Sequence, residues 1–307
     1  MWFDPAVVEL VRDLTPVWLV VVLVALSFLG SATLITPVLV GLHWLERRRR
    51  SLTWIGIVFG SYALRSLIKS LNSLDRPPVG PPIDAAVVPA LVRPLYEHPA
   101  EIATTSFPSG HVMTATVFWG LVAIDGRFLD RRRRIAIGAT IVLIVGYSRV
   151  AVGAHYVGDV VGGILIALVY LGGMLILRRR ASDPVGVTVG AAAVIAVAIL
   201  SFSSSNTGEW VVGFCIGILL AWYWSTIRTV IDDPRDRTGA TVIRAVSPVA
   251  LAVVGTAVVL VGEGSIRHVA TLAAAGVMLV VVGRYPPVAN RLAAIERRFG
   301  HRRRFGH

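Results

Sequence analysis

Apolar runs of 18 or more residues recur along the whole chain, and they decide the solvent it folds in. A helix rises 1.5 Å per residue, so each such run can cross about 30 Å of hydrocarbon. Composition agrees. Of 307 residues, 55% are hydrophobic, the mean hydropathy is +0.72, and 16% are charged, against about 25% in a soluble domain. The pattern predicts an all-α, polytopic transmembrane helical bundle with about nine spans. They fall near 17–41, 52–71, 112–126, 135–150, 159–177, 185–203, 210–227, 246–262 and 268–284. The spans at 112–126 and 135–150 are short or polar-ended and call for extension by turns buried in protein.

A net charge of +12 raises nucleic acid as a partner, but the distribution of that charge excludes it. The arginines form short clusters between apolar runs, at 47–50, 131–134, 178–180 and 302–304, rather than a basic face on a soluble fold. With the arginines between 228 and 244 they occupy every second connection, so all fall on one side of the membrane. The positive-inside rule makes that side cytoplasmic, with the N-terminus outside and the C-terminus inside. The single cysteine, Cys215, lies within an apolar run and reads as a small buried hydrophobe. The N-terminus lacks a basic region ahead of its first apolar run and does not read as a cleaved signal peptide. The longest outside connection, 72–111, begins with Pro77, Pro78, Pro81 and Pro82. It then carries an apolar stretch at 83–92, too short to span and suited to the membrane interface.

Ionisable residues near membrane spans are costly and point to function by default. Here they gather on the outer side. Lys69 ends span two and Arg76 follows it; Ser109, Gly110 and His111 precede span three; Ser148 and Arg149 end span four; His155 and Asp159 open span five. His155 and Asp159 are four apart, which on a helix puts both on one face. A carboxylate there can accept the Nδ1–H of the imidazole and leave Nε2 as a free lone pair, able to attack phosphorus. A helix-capping aspartate beside an interfacial histidine would look the same. Ser109-Gly110-His111 opens a helix, whose first N–H groups lack internal partners and suit an anionic phosphate. Gly110 lets the backbone approach closely, and His111 then stands at the phosphate edge as a general acid. An ordinary serine cap is the plainer alternative. Lys69, Arg76 and Arg149 converge as three cations, suited to the equatorial oxygens of phosphoryl transfer or, more simply, to lipid headgroups. Lys69 is the one lysine among 30 lysines and arginines, so position 69 favours an ammonium over a guanidinium.

At these positions the chain resembles the type 2 phosphatidic acid phosphatase family, relatives of the soluble vanadium haloperoxidases. The family pattern K-x6-R-P, P-S-G-H and S-R-x5-H-x3-D is met by Lys69, Arg76 and Pro77, by Pro108 to His111, and by Ser148, Arg149, His155 and Asp159. The resemblance implies that His155 is the nucleophile, Asp159 its orienting partner and His111 the general acid. It implies a phosphate cradle of Lys69, Arg76, Ser109, Gly110 and Arg149. It further implies hydrolysis without a metal or other cofactor. It covers about 55–180, within an expected catalytic core of 1–205; residues 206–307 add further spans and an Arg-rich tail. Asp75 and Asp84, the nearby acids, read as turn or salt-bridge residues rather than metal ligands. The expected substrate is a lipid phosphate, such as phosphatidate, phosphatidylglycerol phosphate or a polyprenyl diphosphate, among membrane lipids. A phosphotransferase using an alcohol acceptor on the same scaffold is the alternative. Neither the particular lipid nor the oligomeric state is legible.

Overall fold

The computed structural model describes residues 2–46, 49–79, 105–202, 206–232 and 263–284. Among them the secondary structure is helical. The helices are α1 (Pro5–Asp13), α2 (Val17–Ser27), α3 (Ala32–Glu46), α4 (Arg49–Ser70), α5 (Gly110–Asp125), α6 (Arg131–Ala151), α7 (Val157–Arg180), α8 (Pro184–Leu200), α9 (Asn206–Asp232) and α10 (Glu263–Arg284). Local chemistry sets several starts. Asp4 caps α1 by accepting the Ala6 N–H at 3.0 Å, with Pro5 at the first helical position. Asp130 caps α6 through the Arg133 N–H, also at 3.0 Å. Pro184 opens α8.

Four helices among the described residues are long and apolar enough to cross a membrane singly: α4, α6, α7 and residues 207–224 of α9. The α1–α2 pair passes the same test together but is bent by 113°. Helices α3, α5 and α8 are shorter apolar rods. Within the crossing windows 72% of α4 is buried in protein against 22% of α7, so α7 offers most of its surface to lipid. Leu165, Leu168 and Val169 stand outward on it. Of the expected segments, the span at 246–262, the interfacial stretch at 83–92 and the Arg-rich tail lie outside the described residues.

The expected continuous span at 17–41 is broken. A 3-10 turn, Phe28–Gly30, follows α2, and Ser31 is extended before α3 begins. Ser31 Oγ accepts the Leu34 N–H at 3.2 Å, a cap that restarts the helix. The break has a packing cause. Gly30 presses on the start of α5, where a Cβ would collide with the His111 carbonyl oxygen.

The chain forms two compact units, Met1–Ile35 with Leu64–Gly173, and Thr36–Ala63 with Met174–His307. In the first, α5 packs on α6, while α2 and α1 pack on α6 and the 3-10 turn packs on α5. Its core joins Val112, Ala115, Val142 and Val145. In the second, residues 51–63 of α4 are all buried. There the Phe59 ring meets Trp210 and Phe214 at 4.7 and 5.0 Å between centroids. Helices α9 and α10 cross closely, glycine against backbone: a Cβ on Gly276 would strike the Phe214 carbonyl. Cys215 is buried in this unit, as its sequence context predicts.

The Gly30 contact makes a direct test. Gly30→Ala should lower stability by about 1–3 kcal/mol, because a backbone carbonyl cannot yield as a side chain can. Gly172→Ala, where no atom lies within 4 Å, should change it by less than about 1 kcal/mol. Thermal unfolding in detergent measures both; equal midpoints would remove the packing explanation for the broken helix.

Candidate active site

The site is assembled from three chain segments in the first unit: the end of α4 with the strand-like stretch after it, the approach to α5, and the turn between α6 and α7. Hydrogen bonds tie the first two together. Asn72 Nδ2 donates to the Ile68 carbonyl at 2.6 Å and to the Phe107 carbonyl at 3.0 Å. The Ser106 N–H donates to the Leu74 carbonyl at 2.8 Å. Lys69 Nζ donates to the carbonyls of Thr105 and, at 3.3 Å, Ser106. A compact ammonium can serve two adjacent carbonyls in this way, which gives position 69 a reason to be lysine.

The third segment is shaped by Gly153, whose φ of 75° reverses the chain at the end of α6. Ala154 and His155 then donate their N–H groups back to the Arg149 carbonyl, at 3.0 and 3.2 Å. The spacing between Arg149 and His155 is thus a helix-terminating turn. Arg76 Nη1 reaches the same turn, donating to the Ala154 carbonyl at 2.8 Å. The segment at 105–109 joins as well, since the Ser109 N–H donates to the Asp159 carbonyl at 3.1 Å.

His155 and Asp159 meet, though not on a helix face. His155 precedes α7, and Asp159 is the third residue of that helix. Asp159 Oδ2 accepts the Tyr156 N–H at 2.8 Å, reaching back to the cap as in a capping box, and lies 3.3 Å from His155 Nδ1. The capping role and the histidine-orienting role therefore coexist in one carboxylate. A carboxylate only accepts, so this contact calls for the Nδ1–H tautomer and leaves Nε2 bare. Both side chains are buried, at 3% and 0% exposure. Burial pushes the His155 imidazole down to about 3, helped by the Arg149 and Arg76 charges and opposed by its bond to Asp159. Burial also lowers Arg76 from its ordinary value, while the Asp159 charge pulls it back. A guanidinium stays charged regardless.

Ser109 occupies the cap position of α5 but its side chain does not cap. Its Oγ is buried without a hydrogen-bond partner. A partnerless polar atom at a helix N-terminus, near Lys69, Arg76 and the fully buried Arg149, is chemically suited to an anion. His111 is half-buried one residue beyond Gly110. Three features were not visible in the spacing of the motifs. Ser106 donates its hydroxyl to Asp159 Oδ2, across 53 residues of sequence. Asn72 links the two segments already described. Arg65, one turn before Lys69, lies over Gly110: a Cβ there would stand 2.6 Å from its Cδ and 2.8 Å from its Nη1. The Arg65 side chain thus packs over the glycine at the start of α5. Among the described residues no group of three His, Cys, Asp or Glu side chains could hold a metal ion.

Residues 50–183 match the profile of the PAP2 superfamily. Phosphatidylglycerophosphatase B of Bacillus subtilis (strain 168) is 30% identical over 164 residues, covering 49% of this chain and 71% of the relative. An uncharacterized 22.5 kDa protein in the cps region of Klebsiella pneumoniae is 29% identical over 113 residues, covering 34% of this chain and 54% of the relative. The crystal structure of a transmembrane PAP2 type phosphatidylglycerolphosphate phosphatase from Bacillus subtilis aligns at 22% identity with a TM-score of 0.47. It covers 58% of this chain and 87% of that one.

Burial of His155 makes a pH prediction. With its value lowered from 6.5 to about 3, the ring stays neutral from pH 8 down to pH 5. Nitrogen-15 spectra of the labelled protein in detergent should show a neutral imidazole across that range. An imidazolium pattern at pH 6 would contradict the buried, cation-flanked setting.

Proposed function

Because the chain belongs to the PAP2 superfamily and is a membrane phosphatase, we propose that this cluster is its catalytic centre and that His155 carries the phosphoryl group. The observation that carries the reading is the buried Asp159–His155 contact beside the partnerless Ser109 hydroxyl. A phosphate seated at the start of α5 meets the helix N–H groups and Ser109 Oγ, with Lys69, Arg76 and Arg149 supplying positive charge. Nε2 of His155 attacks phosphorus, forming an N–P bond as the P–O bond to the leaving group breaks. Asp159 stabilises the cation developing on the ring. His111 gives its proton to the departing oxygen. Water then attacks phosphorus, His111 takes its proton, the N–P bond breaks, and inorganic phosphate leaves with His155 restored.

Metal-independent action fits this charge distribution. Three cations already neutralise the phosphoryl oxygens, and they would repel a divalent ion from the same place. The substrate is a lipid phosphate whose tail remains in the bilayer. Phosphatidylglycerol phosphate leads the candidates, since the Bacillus relative is named for it, followed by phosphatidate and polyprenyl diphosphates. The arginine alternation assigns the centre to the extracytoplasmic face, with the N-terminus outside and the C-terminus in the cytoplasm. On this reading residues 1–205 form the catalytic core, and 206–307 add helices to it.

One set of assays tests these points. Purified protein should release phosphate from the lipid panel in EDTA and without any alcohol acceptor, and vanadate should inhibit it. His155→Ala should lose turnover entirely. Intact cells expressing the protein should hydrolyse an impermeant, water-soluble phosphate ester, and cells with His155→Ala should not. Full activity in His155→Ala would end the histidine mechanism. Dependence on an added alcohol would favour the transferase. Activity seen only in broken cells would place the centre in the cytoplasm.

A further inference from the structure

Asp159 is a fully buried carboxylate whose two oxygens are treated differently. Oδ2 faces three donors: the Ser106 hydroxyl, the Tyr156 N–H at 2.8 Å and His155 Nδ1 at 3.3 Å. Oδ1 is buried with no hydrogen-bond partner. The rotation of the carboxylate is therefore governed by what holds Oδ2. The Tyr156 N–H is backbone of the helix cap, and His155 is the group being oriented. Ser106 is a further side chain holding this oxygen.

Ser106 is well placed to hold it. Its exposure is 0%. Its N–H is taken by the Leu74 carbonyl and its carbonyl by Lys69 Nζ, so its backbone is held on both sides while its hydroxyl turns toward Asp159. The same hydroxyl oxygen lies 3.5 Å from His155 Nδ1. This is close enough to matter for the tautomer. If the proton moved from Nδ1 to Nε2, Nδ1 would become an acceptor, and the Ser106 hydroxyl could turn to it. While the hydroxyl is committed to Asp159, that alternative has no donor, and Nδ1 keeps its proton toward the carboxylate.

We propose that Ser106 is a positioning residue for phosphoryl transfer: its hydroxyl locks Asp159 so that His155 presents a bare Nε2. The proposal rests on His155 being the nucleophile. Ser106 acts through Asp159 and touches no reacting atom. Only its hydroxyl is involved, while its carbonyl serves Lys69, so removing the hydroxyl spares the phosphate cradle. Chemistry should slow while binding persists.

The test uses the full chain in detergent with a lipid phosphate substrate. Ser106→Ala should lower kcat by about 10- to 100-fold, the scale of a hydrogen bond to a charged group, with KM within about two-fold. Ser106→Cys, similar in size with a weak donor, should fall between Ser106→Ala and the parent. In an Asp159→Ala background, Ser106→Ala should cost less than about two-fold more, because nothing remains to be positioned. Nitrogen-15 spectra should show the Nδ1–H tautomer in the parent and an Nε2–H population in Ser106→Ala. An unchanged kcat in Ser106→Ala with the Nδ1–H tautomer retained overturns the proposal and leaves the histidine mechanism standing. Fully additive losses with Asp159→Ala overturn it too, by making Ser106 an independent structural contribution. An Nε2–H tautomer already present in the parent overturns both this proposal and the nucleophile it rests on.

Discussion

The carboxylate of Asp159 is the point on which the site depends. Burying a carboxylate is costly unless it is hydrogen-bonded. Here it is kept by a serine hydroxyl, a backbone N–H and an imidazole, all on one oxygen. Each of those donors belongs to a different task. Tyr156 caps the start of α7, Ser106 belongs to the segment leading into α5, and His155 closes the turn from α6. One charged group thus joins three segments. The same contact that starts a helix also selects a tautomer.

Around that carboxylate stand cations drawn partly out of water. Arg149 is 1% exposed, and Lys69 and Arg76 are each partly enclosed. Placing such charges together out of water is expensive unless an opposite charge joins them. Asp159 answers part of that cost, and on the proposed reading a phosphate dianion answers more. The start of α5 and the partnerless Ser109 hydroxyl point the same way. On that reading the arrangement is less stable empty than with an anion bound, as in a preorganised site. The lipid tail of a substrate adds no requirement here, since α7 already offers an apolar surface to the bilayer.

The helical membrane class was legible because hydropathy is a strong, local signal, and most expected spans correspond to described helices. The broken helix at Phe28–Gly30 was not, because the run from Val17 to Gly41 is predominantly apolar, with Ser27, Ser31, Thr33 and Thr36 scattered in it, and its break answers to the His111 carbonyl, far away in sequence. Lys69, Arg76, Ser109, Arg149, His155 and Asp159 were legible as a set, and the structure brings them into one unit with His111 beside them. Their reasons were less so. The turn between Arg149 and His155 depends on the positive φ of Gly153, which no spacing rule announced. The contact of Arg65 with Gly110 has no motif to announce it. Ser106 carries no motif of its own, and its role appears only when residue 159 is folded against it. Pairwise contacts over long sequence separations are what a single sequence hides.

The central claim is a covalent bond between His155 Nε2 and phosphorus. It is tested most directly by mixing enzyme with a radiolabelled lipid phosphate, quenching within milliseconds in base, and mapping the label by mass spectrometry. Phosphohistidine survives base and is lost in acid, so the two quenches distinguish it from phosphoserine. The account predicts a base-stable, acid-labile phosphate on the peptide bearing His155, formed before phosphate is released. Turnover at full rate with no such adduct, or label found on His111 instead, would contradict it.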